Sequence, residues 1–518
     1  MRIPHSLSLF ALWIGLACQP IAERKQPVPT LEQLATANLN LSGEQLANFY
    51  CANCHLKPEP EVLDKATWEK NVLPDMRMRM GLYLEEDFGR TLPRDMGVPE
   101  GIYSDVPLIK IKDWEKLRAY YLENAPNGPL PQKAKIAPQV GLPGFQIEVP
   151  KFDFVYPDLT TMASIDPESG QIWVGHRFKK LFVLDGKRDF KLLDSITTNV
   201  APVDIRWKEQ GEFDLLTMGL MDPSNDSLGT LSRFSGSFGD WTQSQIRDKL
   251  IRPVQISYGD LNGDGLEDQV ICQFGNHIGK VSVYFADSNS TFKEEVLKSL
   301  PGATRTILDD FDGDGDLDVL GMLTQAKEGI YLWENDGQGN FEEKRLLSFQ
   351  PAFGSSDFRF KDVNGDGAKD LILVNGDNAD LSQILKPYHG LRIFINNGNG
   401  EFEEDFFYPM YGATGLSVED FDQDGDLDIF VISFFPDKNE APGLDLIYFR
   451  QEESGEFNPF YSEKIPRDGL LTIASGDIDG DQDLDVVIGK FKFDELYAQP
   501  KDQWSPILVI RNNLFSNK

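Results

Sequence analysis

Asp310-Phe311-Asp312-Gly313-Asp314-Gly315-Asp316-Leu317-Asp318 places a carboxylate at every odd position and glycine at the fourth and sixth. The same register recurs at Asp260-Leu261-Asn262-Gly263-Asp264-Gly265-Leu266-Glu267-Asp268 and at Asp362-Val363-Asn364-Gly365-Asp366-Gly367-Ala368-Lys369-Asp370. It returns at Asp420-Phe421-Asp422-Gln423-Asp424-Gly425-Asp426-Leu427-Asp428 and at Asp477-Ile478-Asp479-Gly480-Asp481-Gln482-Asp483-Leu484-Asp485. The first aspartates are 50, 52, 58 and 57 residues apart, a period that signals stacked repeats. In a tight loop, side chains 1, 3, 5 and 9 and the backbone carbonyl of position 7 (Leu266, Asp316, Ala368, Asp426, Asp483) can converge on one hard cation. Ligation by oxygen alone selects calcium. A solvated acidic turn has no reason to keep one ligand register through five copies. The last loop has Gln482 at the sharp turn, so it is expected to be the weakest of five sites.

An EF-hand is the obvious rival, but it needs a bidentate Glu at position 12 and a helix on each side. Position 12 here is Ile271, Gly321, Leu373, Val431 and Ile488. Each loop runs instead into a strand-like segment, such as Asp428-Ile-Phe-Val-Ile-Ser, and further strand-like segments such as Leu391-Arg-Ile-Phe-Ile come after it. A cation loop between strands, then two more strands, makes a propeller blade. Two units without the acidic spacing precede these five, around 163–174 and 203–219. Seven units over residues 145–515 average about 53 residues each, which suits propeller blades. The last unit lacks an outer strand after Pro506-Ile-Leu-Val-Ile-Arg. Gly144-Phe-Gln-Ile-Glu-Val, alternating with period two, can supply it and close the ring. Cys272 lies in a strand and reads as a small buried residue.

Charge narrows the function classes. The chain has 518 residues and a net charge of -33, which argues against a protein that tracks nucleic-acid phosphates. At the N-terminus, Arg2 precedes an apolar run from Leu7 to Ala17 that is too short to span a bilayer, as in an export signal. Ile14-Gly15-Leu16-Ala17-Cys18 resembles a bacterial lipobox, which makes Cys18 the acylated first residue; Gly15 departs from the usual Leu. The alternative is an ordinary cleaved signal peptide that leaves Cys18 a free thiol. Beyond Cys18 no stretch is apolar enough to span, so membrane attachment is expected by lipid alone, in the periplasm or at the outer membrane.

Cys51-Ala52-Asn53-Cys54-His55 is the strongest short motif. It reads as c-type haem attachment: each thiol can form a thioether to one vinyl group, and His55 then ligates the iron. A redox dithiol does not need the histidine, and a zinc site lacks a second ligand pair. Ser42-Gly-Glu-Gln45 has the form of a capping box, with Leu46, Phe49 and Tyr50 in an apolar stripe running up to Cys51. A second helix follows Asp113, with Trp114, Leu117 and Tyr121 on one face. Between them Leu73-Pro-Asp-Met76-Arg-Met78-Arg-Met80 offers a sixth iron ligand: Met76 is favoured, Met80 is the alternative, and Met78 and Met96 come behind. Ligation by His176, His277 or His389 is the less favoured option. Methionine ligation raises the potential and suits an electron carrier. Pro126, Pro129, Pro131, Pro138 and Pro143 mark a linker expected to continue neither helix nor ladder.

The acidic repeats resemble FG-GAP (VCBS) repeats, which build the propeller of integrin α subunits. The whole chain resembles exported bacterial proteins that join a cytochrome c domain to such a propeller. The resemblance implies a signal peptide at 1–17, a tether at 18–40, a small all-α cytochrome c domain at 41–126, a linker at 127–144 and an all-β seven-bladed propeller at 145–518. It implies haem c and calcium as cofactors and a redox partner protein. The leading expectation is a lipid-tethered electron carrier whose propeller docks or recognises a partner. The alternative is an adhesion protein that binds a glycan or protein through the propeller, with an accessory haem. A propeller oxidoreductase is the third reading; no dinucleotide fingerprint or nucleophile motif supports it.

Overall fold

The computed structural model describes residues 40–514, apart from 88–97, 188, 209–210, 290, 326, 379–381, 399, 441 and 468. The expected export signal, Cys18 and Met96 lie outside the described residues.

Seven sheets, each with four antiparallel strands and one with an added parallel edge strand, follow one another around a ring. Blade one spans 160–197, blade two 202–250, blade three 253–298, blade four 303–348, blade five 355–409, blade six 413–461 and blade seven 470–512. The first strand of each blade touches the first strand of the next, and blade seven meets blade one in the same way. A hydrophobic cluster fills every interface, from Trp173 with Phe213 between blades one and two to Ile172 with Val509 between blades seven and one. Packing on both faces explains why the second strands are near-continuous apolar runs. Asp318–Leu323, Asp370–Asn375 and Asp428–Ser433 are buried at every residue. Fourth strands such as Phe341–Ser348 face solvent and carry charge.

Strand β2 (Phe145–Glu148) pairs antiparallel with Ile507–Asn512 and supplies the missing fourth strand of blade seven, as its period-two alternation predicts. The ring is thereby closed and its edges are hidden. The linker expectation needs one correction. Strand β1 (Gln139–Val140) pairs in parallel with Phe460 and Tyr461 at the outer edge of blade six. Pro138 precedes this pairing and Pro143 comes after it, so no ladder N–H is lost.

Ahead of the linker lies a helical segment. Helix α1 (Gly43–Tyr50) starts with the capping box: Ser42 Oγ accepts from Gln45 N, and Gln45 Oε1 accepts from Ser42 N. Lys65–Thr67, a π-helical turn at Trp68–Val72 and helix α2 (Leu73–Arg79) form one continuous run. Helix α3 (Ile111–Asn124) packs across α1. A Cβ on Gly43 would stand 2.3 Å from Lys116 O, so only glycine lets the two backbones approach this closely. Trp68, Trp114, Leu117 and Tyr121 form the buried centre of the segment.

The segment is fastened to the propeller. Glu59 N donates to Gln350 Oε1 (2.9 Å), Tyr388 OH donates to Val62 O (3.2 Å), and Tyr408 OH donates to Ile136 O (3.0 Å). Gln350 lies between blades four and five, and Tyr388 lies in the connection between the second and third strands of blade five. Such connections leave a blade at the end opposite the loops between first and second strands. The helical segment therefore covers the face away from the acidic loops.

Candidate functional site

Each acidic nonapeptide joins the first and second strands of its blade, in blades three to seven. The backbone path is the same throughout. Positions 4 and 6 both take left-handed conformations: Gly263 and Gly265, Gly313 and Gly315, Gly365 and Gly367, Gln423 and Gly425, Gly480 and Gln482. Glycine tolerates this freely, whereas Gln423 and Gln482 do so at a cost of about 1–2 kcal/mol each. Gln482 is thus not the only strained turn, and blade six carries one as well.

The carboxylate of position 1 organises the turn. Asp310 accepts from Gly313 N (2.8 Å) and Gly315 N (3.1 Å), and Asp260, Asp362 and Asp477 accept from the matching N–H groups. Asp420 receives only Gly425 N (3.1 Å), and its Oδ1 is buried without a partner, as is Asp422 Oδ1. Position 7 is expected to supply a carbonyl, and the bond seen there is from its N–H. Leu266, Asp316, Ala368, Asp426 and Asp483 each donate to the carboxylate two places earlier, on Asp264, Asp314, Asp366, Asp424 and Asp481.

Position 9 is buried at the base of the loop. Asp268, Asp318, Asp370 and Asp485 each accept from the N–H of position 2 and from the N–H that ends the third strand. Asp428 keeps the second bond, from Gln451 N, and replaces the first with Tyr448 OH (2.7 Å). Carboxylate oxygens converge within 4.8 Å in Asp310/Asp312/Asp318, Asp420/Asp422/Asp424 and Asp477/Asp479/Asp485, a spacing that one cation can bridge. Asn262 and Asn364 stand at position 3 of the other two loops and hydrogen-bond to Asp264 and Asp366. Burial, reinforced by neighbouring carboxylates, holds Asp268, Asp318 and Asp370 above their ordinary range and pushes Asp428 and Asp485 up to about 7. A divalent cation relieves that repulsion.

A cross-blade contact escaped the sequence reading. The amide that ends the third strand reaches the position-2 carbonyl of the preceding blade: Asn335 to Leu261 O (2.8 Å), Gln451 to Val363 O (2.9 Å) and Asn512 to Phe421 O (2.8 Å). The available signal is the Asn or Gln that ends the third strand in blades four to seven, such as Asn335-Asp-Gly.

In the helical segment, Cys51 and Cys54 are free thiols on the short turn after α1. Cys51 Sγ lies 3.8 Å from Tyr121 OH, and burial pushes its thiol up to about 11. His55 Nδ1 donates to Leu56 O (2.8 Å), which leaves Nε2 as the ring atom with a lone pair. Burial lowers the His55 pKa against the bond to Leu56 O, and the charge of Arg79 on α2 lowers it further. Met76 precedes Arg79 by three residues and shares its helix face. Met76, Met78 and Met80 are all half-buried. In the same segment Leu56, Tyr83, Val106, Leu108 and Ile111 expose apolar surface.

The remaining candidates are structural. His176 is fully buried, with Nε2 donating to Pro157 O (3.0 Å) and Nδ1 accepting from Phe178 N (3.0 Å). His389 is buried beside Lys386 and Arg392, and His277 is bonded to Asn225 and Asn276. Cys272 is buried with its thiol pushed up to about 12, an inert state. A 440 Å³ cavity along the inner strands of blades two to four is lined by Asp204, Arg206, Gln255, Ser257, Tyr258 and Arg305. Beside it Asp357 accepts from both Arg305 Nε (2.5 Å) and Arg359 Nη1 (2.8 Å).

No curated protein matches the chain. A chain in an S. cerevisiae assembly of a dbp5 variant bound to nup159, a gle1 variant, ip6 and adp aligns with 10% identity over 74% of this chain and 99% of its own. Its TM-score of 0.42 is too low to bear on function. Residues 260–320, 310–373 and 374–431 match the FG-GAP-like repeat, a span that contains four of the five acidic loops. The seven-bladed ring of this chain is therefore a propeller that carries FG-GAP-like repeats.

Proposed function

We propose that the chain is a one-electron carrier. Its helical segment holds a covalent haem through Cys51, Cys54 and His55, and its propeller, pinned by calcium, is a docking or recognition module. The observation that carries the reading is the hydrogen bond that orients His55 next to Cys51 and Cys54. Its Nδ1 donates to Leu56 O, which leaves Nε2 to ligate a metal beside two free thiols. The exposed apolar groups of the segment suit contact with a porphyrin. The haem, when bound, supplies a reversible one-electron couple.

The protein's own residues tune that couple. Arg79 places a positive charge near His55 and favours the reduced form. Met76, which follows Leu73-Pro74 on α2, is the preferred sixth ligand; Met80, one turn on, is the alternative. In the propeller, positions 1, 3, 5 and 9 of the acidic loops supply hard oxygen ligands for calcium. The carrier is exported and held at the membrane through acylated Cys18, and it exchanges electrons with a partner protein.

The test is redox spectroscopy of the full exported chain made with a haem-attachment system. A covalent c-type spectrum is expected, with a methionine-to-iron band that disappears in Met76→Ala. Loss of that band only in Met80→Ala moves the axial assignment to Met80. Ligand capture by the propeller that proceeds in a chain without haem supports the adhesion reading instead.

A further inference from the structure

We propose that the acidic loop of blade seven is filled by the guanidinium of Arg511 rather than by a metal ion, so that the chain takes four calcium ions and closes its ring without one. The proposal rests on the calcium reading above.

Arg511 lies on Ile507–Asn512, the third strand of blade seven, and its side chain is 14% exposed. Nη1 donates to Asp479 Oδ2 at 2.7 Å, and Asp479 is position 3 of the loop. Nε and Nη2 donate to Glu148 Oε1 and Oε2 at 3.2 and 3.3 Å, and Glu148 belongs to β2, the strand that closes the ring. Nη2 also reaches Gly186 O of blade one at 3.2 Å. One planar cation thus joins the last loop, the closing strand and the first blade, the geometry for which the arginine fork is suited. A second cation is close: Lys187 Nζ lies 3.5 Å from where a Cβ on Gly480 would stand.

The other four loops lack this arrangement. The residue in the same place on the third strand is Phe285 in blade three, Glu334 in blade four and Ile395 in blade five. Blade six has Arg450, but its Nε and Nη2 both bond to Glu452 Oε1 (3.1 and 2.6 Å) rather than to the loop. In blade seven Asp479 keeps one unpartnered oxygen, Oδ1, in a loop whose negative charge Arg511 has already reduced. Calcium affinity follows ligand charge, so this loop loses it first.

Equilibrium dialysis of the full chain against calcium, with elemental analysis, counts the ions. Four per chain are expected for the wild type, five for Arg511→Gln and four for Arg511→Lys. Asp479→Asn in the otherwise native chain is expected to leave four. Five in the wild type, or a fall to three in Asp479→Asn, overturns the assignment while leaving the calcium reading intact. Four in Arg511→Gln with an unchanged far-ultraviolet β-sheet signal also overturns it; if that variant does not fold, the Asp479→Asn count decides. No bound calcium in any variant means that the calcium reading itself fails, and the inference with it.

Discussion

The helical segment and the propeller organise their chemistry differently. In the segment, one turn carries Cys51, Cys54 and His55, and no second copy exists among the described residues. In the propeller, five loops follow one backbone path with different side chains, and each blade interface has its own apolar core. Function concentrated at one point is lost through one substitution. Function spread over repeats is lost in fractions, and the copies can diverge as long as the path is kept.

The largest effect is therefore expected at the haem turn. Cys51→Ala with Cys54→Ala should remove all covalently held haem, as judged by haem staining of the denatured chain, while the far-ultraviolet signal of the sheets is unchanged. Calcium removal comes next. Each filled site contributes about 2.7 kcal/mol when free calcium is a hundredfold above Kd, so chelation should lower the melting temperature of the propeller by many degrees. Hydrogen exchange should then rise in the loops at 260–268, 310–318, 362–370 and 420–428. The β2 closure, held by Arg511, should stay protected. A single loop gives a fraction of this effect. Asp310→Ala removes one cation and the two N–H bonds that shape the turn, and should cost about 3 kcal/mol in chemical denaturation.

A pH test separates the interior from the loops. Glu328 is fully buried, and burial pushes its carboxyl up to about 8, against the bond from Ser355 N and the nearby charge of Lys386. Between pH 4.5 and 8 the folded chain keeps this proton and the unfolded chain releases it, so stability from Glu328 is full below 4.5 and falls as pH rises to 8. The slope is at most about 1.4 kcal/mol per pH unit, and Glu328→Gln should remove it from denaturation curves measured across that window. The smallest expected effect is a gain. Gln482→Gly and Gln423→Gly should each stabilise the chain by about 1 kcal/mol, because both glutamines hold left-handed backbone.

Much of the propeller was legible because repetition checks each reading. The aspartate spacing located the loops, the apolar runs located the second strands, and the alternation at Phe145–Glu148 located the closing strand. Contacts between residues distant in sequence were not legible. Arg511 meets Asp479 only once blade seven is folded and Glu148 only once the ring is closed, and nothing near Asn512 in the sequence points to Phe421. The pairing of Gln139–Val140 with blade six was hidden because the flanking prolines read as linker. In the helical segment the capping box, the apolar stripe and the thiol spacing stood out. The choice among Met76, Met78 and Met80 did not, because a single helical turn offers three similar side chains.

The central claim is an iron centre bound covalently at Cys51 and Cys54. Its most direct test is the visible spectrum of the exported chain, oxidised and reduced, before and after acid-acetone extraction. The account predicts a reversible c-type spectrum that stays with the polypeptide through extraction. A colourless chain from cells with an active haem-attachment system, or a pigment that leaves with the solvent, contradicts it.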